Sequence, residues 1–129
     1  MPDYITSRGT RDAKLPFSDA VRAGEVLYLS GALGNQPGTM ELVPGGIVAE
    51  TRQMMTNIAR VLEQNGLDFD DVFKCLVMLA DMGEWRAFNE VYVPYFKPGR
   101  LPARSAFGAN GLALGARVEM EAWAWAGKK

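Results

Sequence analysis

Residues 101–125 read Leu-Pro-Ala-Arg-Ser-Ala-Phe-Gly-Ala-Asn-Gly-Leu-Ala-Leu-Gly-Ala-Arg-Val-Glu-Met-Glu-Ala-Trp-Ala-Trp, a pattern of two short strands joined by a glycine-rich turn. The first strand is predicted from Arg104 to about Ala109, the second from Arg117 to Trp125. Asn110-Gly111 and Gly115 supply turn positions that tolerate positive φ. In the second strand a period of two puts Val118, Met120, Ala122 and Ala124 on one face. Arg117, Glu119, Glu121, Trp123 and Trp125 share the other. The first face is small and apolar, suited to close packing against helices. The second ends in two tryptophans, which would form an apolar patch if left in water. A subunit interface with a few polar groups fits it better, so an oligomer is expected.

Working outward, Val72 to Leu79 is a second strong strand. Asp81, three residues before Glu84, predicts a capping box opening a helix whose apolar side is Trp85, Phe88, Val91, Tyr92 and Tyr95. Pro94 bends or ends that helix, and Lys97-Pro98-Gly99 turns back toward residue 101. Ile47 to Asn65 is the clearest helix, with Val48, Thr51, Met55, Ile58 and Leu62 at helical spacing and Met54, Ala59 and Val61 widening the stripe. Asn65-Gly66 ends it, and Leu67 folds back onto the last turn. Upstream, Phe17 to Arg22, a turn at Ala23-Gly24, and Glu25 to Ala32 read as a β-hairpin. Residues 33–46 form a glycine- and proline-rich loop of a length that is often functional. A short edge strand near Tyr4-Ile5-Thr6 and a polar connection precede the hairpin. The core order is β-β-α-β-α-β-β: an α/β domain over residues 1–129, a mixed sheet with both helices packed on one face. The other face needs cover, which a symmetric oligomer supplies.

Composition narrows the chemistry. A net charge of −1 gives no support for nucleic acid or anionic membrane as a partner. No apolar run reaches membrane-spanning length, and the first residues lack a signal-peptide core, so a cytoplasmic location is expected. The one cysteine, Cys75, allows no intrachain disulfide and reads as a small buried hydrophobe. There is no histidine, which removes the usual Ser-His-Asp and Cys-His mechanisms and argues against zinc or iron. No metal and no cofactor are expected: GxGxxG, P-loop and CxxC patterns are absent, and Asp68, Asp70 and Asp71 read as a solvated turn. Acid–base work then falls to carboxylates, Tyr, Lys, water or backbone groups.

The run Pro102-Ala-Arg-Ser105 followed by Arg117-Val-Glu119-Met-Glu121-Ala, with Leu29-Ser30-Gly31 after a hairpin and Phe88-Asn89-Glu90-Val91-Tyr92 on a helix, resembles the RidA (YjgF) family over nearly the whole chain. The resemblance implies a chorismate-mutase-like fold and a homotrimer with sites between subunits. It also implies hydrolysis of reactive enamines and imines, of the 2-aminoacrylate type, to 2-keto acids and ammonia. By position, Arg104 anchors the substrate carboxylate and Glu119 positions water or relays its protons. The backbone of Gly31 and of Ala106, the residue after Ser105, holds substrate and water, while Ser30 and Asn89 line the pocket. Two departures stand out. Ala106 replaces a cysteine, and Phe17 replaces a tyrosine, of the family's best-studied branch.

The chemistry is undemanding: water adds to the imine carbon and ammonia leaves. An arginine fork that holds the carboxylate beside a positioned water supplies much of what is needed. In the simplest reading the strands of Arg104 and Glu119 are neighbours and the two side chains face one cavity. A plain surface ion pair across a hairpin is the alternative reading of the same spacing. Three functional alternatives also stand beside the deaminase: a trimeric, non-catalytic binder of small carboxylate metabolites, a specialised catabolic enamine deaminase, and RNA cleavage. Against the last weigh the acidic pI, the missing histidine and the lack of a basic-aromatic surface.

Overall fold

The computed structural model describes residues 1–127. Six strands form one sheet: β1 (Asp3–Ile5), β2 (Ala20–Ala23), β3 (Val26–Leu29), β4 (Val72–Leu79), β5 (Ala103–Gly108) and β6 (Val118–Trp125). Their spatial order is β1-β2-β3-β6-β4-β5, antiparallel throughout except for the parallel β4–β5 pair. Three α-helices accompany them: α1 (Arg8–Asp12), α2 (Gly46–Gln64) and α3 (Trp85–Tyr92). The expected order holds from β2 onward. The polar connection expected before β2 contains α1, capped by Ser7, whose hydroxyl accepts from Thr10 N at 3.2 Å.

Residues 101–125 do not form a hairpin. The β4–α3–β5 segment is a crossover, and a crossover makes its two strands parallel neighbours. The chain then passes over the end of β4, tied there by Ala109 N to Leu79 O (2.8 Å) and Ala80 N to Arg117 O (3.0 Å). It returns as β6 on the opposite edge of β4. The two strands of the quoted stretch are therefore separated by β4, an apolar strand able to be paired on both edges.

The predicted faces of β6 are observed. Val118, Met120, Ala122 and Ala124 are buried against α2 and α3, together with Cys75, Val77 and Leu79 of β4. From α2, Met54, Met55, Ile58 and Leu62 complete this core, each such side chain contributing about 1.5–3 kcal/mol. The α2 stripe is rotated slightly from the expected one. Ile47 is buried and Val48 faces outward, and α2 begins one residue earlier than expected, at Gly46, with Gly45 and Gly46 both at positive φ. Gly66 ends the helix at φ +74° and Leu67 N bonds back to Leu62 O, as expected.

The other sheet face carries Glu119, Glu121, Trp123 and Trp125 with Tyr28, Lys74, Leu76 and Met78. The Lys74 ammonium lies 5.4 Å from the Trp123 ring centre, a cation–π contact. Tyr28 and Trp125 remain exposed. No helix among the described residues is long and apolar enough to cross a membrane.

Candidate active site

The residues expected to form one site fall into two groups. The first surrounds Glu119. Between the Tyr28–Trp123 pair and the Ala32–Met120 bridge, β3 advances four residues against three on β6. That mismatch is a bulge, which bends the ladder and opens it beside Glu119. Gly31 sits in the bulge, where a Cβ would run into the Glu119 carboxylate. Glycine here lets the backbone approach the Glu119 carboxylate closely. A cleft of about 290 Å³ results, walled by Phe17, Ser30, Gly31, Leu33, Ala113 and Glu119. Ser30 fastens its rim: its N–H donates to Asp19 O at 2.9 Å and its hydroxyl to Ser18 O at 2.6 Å.

Burial of the Glu119 carboxyl raises its pKa above the usual carboxylate range, and the Glu121 charge on the same face adds to the effect. A carboxyl shifted in that direction is better matched to taking and returning a proton near neutral pH.

The second group surrounds Arg104. Cys75 pairs with Arg104 on one side and with Ala122 on the other, so Arg104 points to the helix side of the sheet. Its guanidinium lies over three rings of α3: Tyr92 at 4.9 Å, Phe88 at 5.6 Å and Trp85 at 5.9 Å. Nη1 donates to Asn89 Oδ1 at 2.7 Å. Among the described residues no carboxylate pairs with Arg104, which leaves donors of its fork for an anionic ligand. The rings and Asn89 set its direction, since α3 presents positions 85, 88, 89 and 92 on the side facing β5.

Cys75 and Tyr92 lie beneath the arginine. Burial pushes the thiol up to about 11, with Tyr92 and Arg104 acting in the opposite sense. A neutral, buried thiol is inert, as its place in the strand pattern suggested. The buried Tyr92 hydroxyl faces Cys75 and Arg104 without a well-aligned hydrogen bond to either.

The single cavity expected for Arg104 and Glu119 is thus not present within one chain, and neither is the alternative ion pair between them. Met78, not a residue of β5, is opposite Glu119, and the two side chains leave the sheet on opposite faces. Ser105 and Ala106 divide in the same way, Ser105 pairing with Leu76 on the open side and Ala106 with Val77 on the core side. Asn89 stands with Arg104; Phe17, Ser30 and Gly31 stand with Glu119. The Asp81–Glu84 capping box also differs. Asp81 caps the turn through Gly83 N at 2.8 Å, but Glu84 instead grips Arg117 at 2.7 Å. The acidic run 68–71 caps a short turn: Asp68 accepts from Asp70 N, and Asp71 accepts from Asp68 N. The aromatic bed beneath Arg104 was visible in the sequence only as a helix's apolar side.

A family model described as Endoribonuclease L-PSP matches residues 9–126. The chain belongs to this family, the RidA/YjgF group. The RidA-family chain is 44% identical over 107 residues to the mouse 2-iminobutanoate/2-iminopropanoate deaminase, spanning 83% of this chain and 78% of that one. Its fold superposes on YyfA of Yersinia pestis, a protein of the conserved Rid family, with TM-score 0.88 and 33% identity over 97% and 99% of the two chains. RidA of the Antarctic bacterium Psychrobacter sp. PAMC 21119 superposes with TM-score 0.80 and 36% identity over 85% and 88%.

Proposed function

We propose that the protein hydrolyses reactive imines, and enamines of the 2-aminoacrylate type after tautomerisation, to 2-keto acids and ammonia. The observation that carries this reading is the Arg104 guanidinium, partly exposed, aimed by Asn89 and three rings, and free of any carboxylate partner among the described residues. Deaminase names on relatives such as the mouse protein support the reaction class. In this reading the Arg104 fork holds the substrate carboxylate bidentately. Water adds to the imine carbon as the nitrogen takes a proton; the carbinolamine then collapses to C=O and releases ammonia. Glu119 accepts the proton from water and returns one to the leaving nitrogen, a task suited to its raised pKa. The backbone at Gly31 and Ala106 orients water and substrate.

Because Arg104 and Glu119 leave opposite faces of one sheet, the reading requires two chains per site. A homotrimer, with Arg104 and Asn89 of one subunit closing on the Glu119 cleft of the next, meets that requirement and covers the Trp123–Trp125 face. The test is imine loss, with imines generated in situ by an amino-acid oxidase and trapped with semicarbazide. Wild type should lower the trapped imine and Arg104→Ala should not. Equal trapping with wild type and without protein, across several side chains, would leave the trimeric carboxylate binder as the better account.

A further inference from the structure

The 290 Å³ cleft has a smaller neighbour. A second cavity of about 110 Å³ lies on the helix side of the bulge and shares Phe17, Ser30 and Gly31 with the Glu119 cleft. Its remaining apolar wall is Leu29, Ala32, Ile58 and Val61. The polar groups at its edge are already engaged. The Asn57 amide nitrogen donates to Leu33 O and Asn35 O at 3.0 Å, and its Oδ1 accepts from Gln53 at 2.9 Å. The Asp19 carboxylate accepts from Ser7 N at 2.6 Å and from the Thr10 hydroxyl at 2.5 Å. The Ser30 hydroxyl donates to Ser18 O. A ligand entering this space meets hydrocarbon and polar groups whose hydrogen bonds are already made, the Asp19 carboxylate included.

We propose that this cavity is a side-chain subsite of the active site, which takes the branched aliphatic end of an imino acid, with Val61 as its size-determining residue. The assignment rests on the deaminase reading. Three observations carry it. The cavity adjoins the Glu119 cleft, with Phe17, Ser30 and Gly31 lining both, it is apolar where it is free, and it has the right size. An apolar cavity of roughly 150 Å³ accepts a benzene ring, so one of 110 Å³ suits a leucine-sized branch. Phe17, half exposed between the two spaces, is the partition that the branch must pass. A phenyl group in place of a phenol makes that passage apolar, which gives the Phe17 departure a consequence: longer apolar substrates are favoured over polar ones.

The experiment compares kcat/KM for the imine of leucine with that for the imine of alanine in wild type, Val61→Phe and Val61→Ala. Filling the cavity with Val61→Phe should lower the leucine-to-alanine ratio at least tenfold, whereas Val61→Ala should hold or raise it for leucine and raise it for larger side chains. A ratio unchanged in both variants, whether or not absolute rates fall, overturns the subsite. Should Val61→Phe fail to fold, an unchanged profile in Val61→Ala across alanine, leucine and phenylalanine imines overturns it alone. If wild type accelerates none of these imines, the deaminase reading fails and the subsite with it. That result is distinct from a wild-type enzyme whose selectivity ignores position 61.

Discussion

Arg104 and Glu119 project from opposite faces of one sheet, on strands that β4 keeps apart. A carboxylate anchor and a proton carrier so placed cannot serve one small substrate within a single chain. Complementation tests this arrangement. Arg104→Ala and Glu119→Gln should each be inactive alone. Co-folded at one to one, random assortment leaves about a quarter of the interfaces with both native residues, and that fraction of activity should return. Mixed assemblies with no recovered activity would count against completion of the site by a neighbouring copy.

Tyr92 supports the Arg104 guanidinium through its ring, 4.9 Å away. Tyr92→Leu removes the nearest ring of the bed, worth about 0.5–2 kcal/mol, and should raise KM roughly 2- to 30-fold with a smaller effect on kcat. Tyr92→Phe keeps the ring and discards a hydroxyl that has no well-aligned partner, so it should restore KM. Equal losses in the two variants would contradict a role for the ring.

Gly31→Ala introduces a methyl group into the space of the Glu119 carboxylate. The obstacle is the end of a flexible side chain, so Glu119 can rotate away at modest cost, about 1–3 kcal/mol. Activity should therefore fall far more than stability. Thermal unfolding beside imine turnover separates the two effects.

Glu119 binds its proton more tightly in the folded chain than in the unfolded one, chiefly because of burial. Between its unfolded and folded pKa values the native state holds more protons, so its contribution to stability falls as pH rises through that window and stays low above it. Glu119→Gln removes the penalty and should raise Tm at neutral pH while abolishing turnover. In the active protein Glu121→Gln, by removing the neighbouring charge, should move the acidic limb of the kcat/KM profile to lower pH. A limb that stays in place would detach it from Glu119.

The alternation Val118, Met120, Ala122, Ala124 against Glu119, Glu121, Trp123, Trp125 was legible in residue order, because a strand's side chains must alternate whatever surrounds it. So were β4, the end of α2 at Gly66, and the burial of Cys75, each governed by local periodicity or backbone freedom. The family was legible as well, since its markers are runs of residues. Strand partnership was not. Nothing local to residues 101–125 distinguishes a hairpin from a crossover strand followed by a return on the far edge of β4. Pairing is chosen by which edges the whole chain leaves open, a long-range competition that short windows do not contain. The same holds for the site. Sequence singles out Arg104 and Glu119 as candidates, but the face from which each projects depends on register with β4. The bed of Trp85, Phe88 and Tyr92 exists only because a crossover lays α3 across β5.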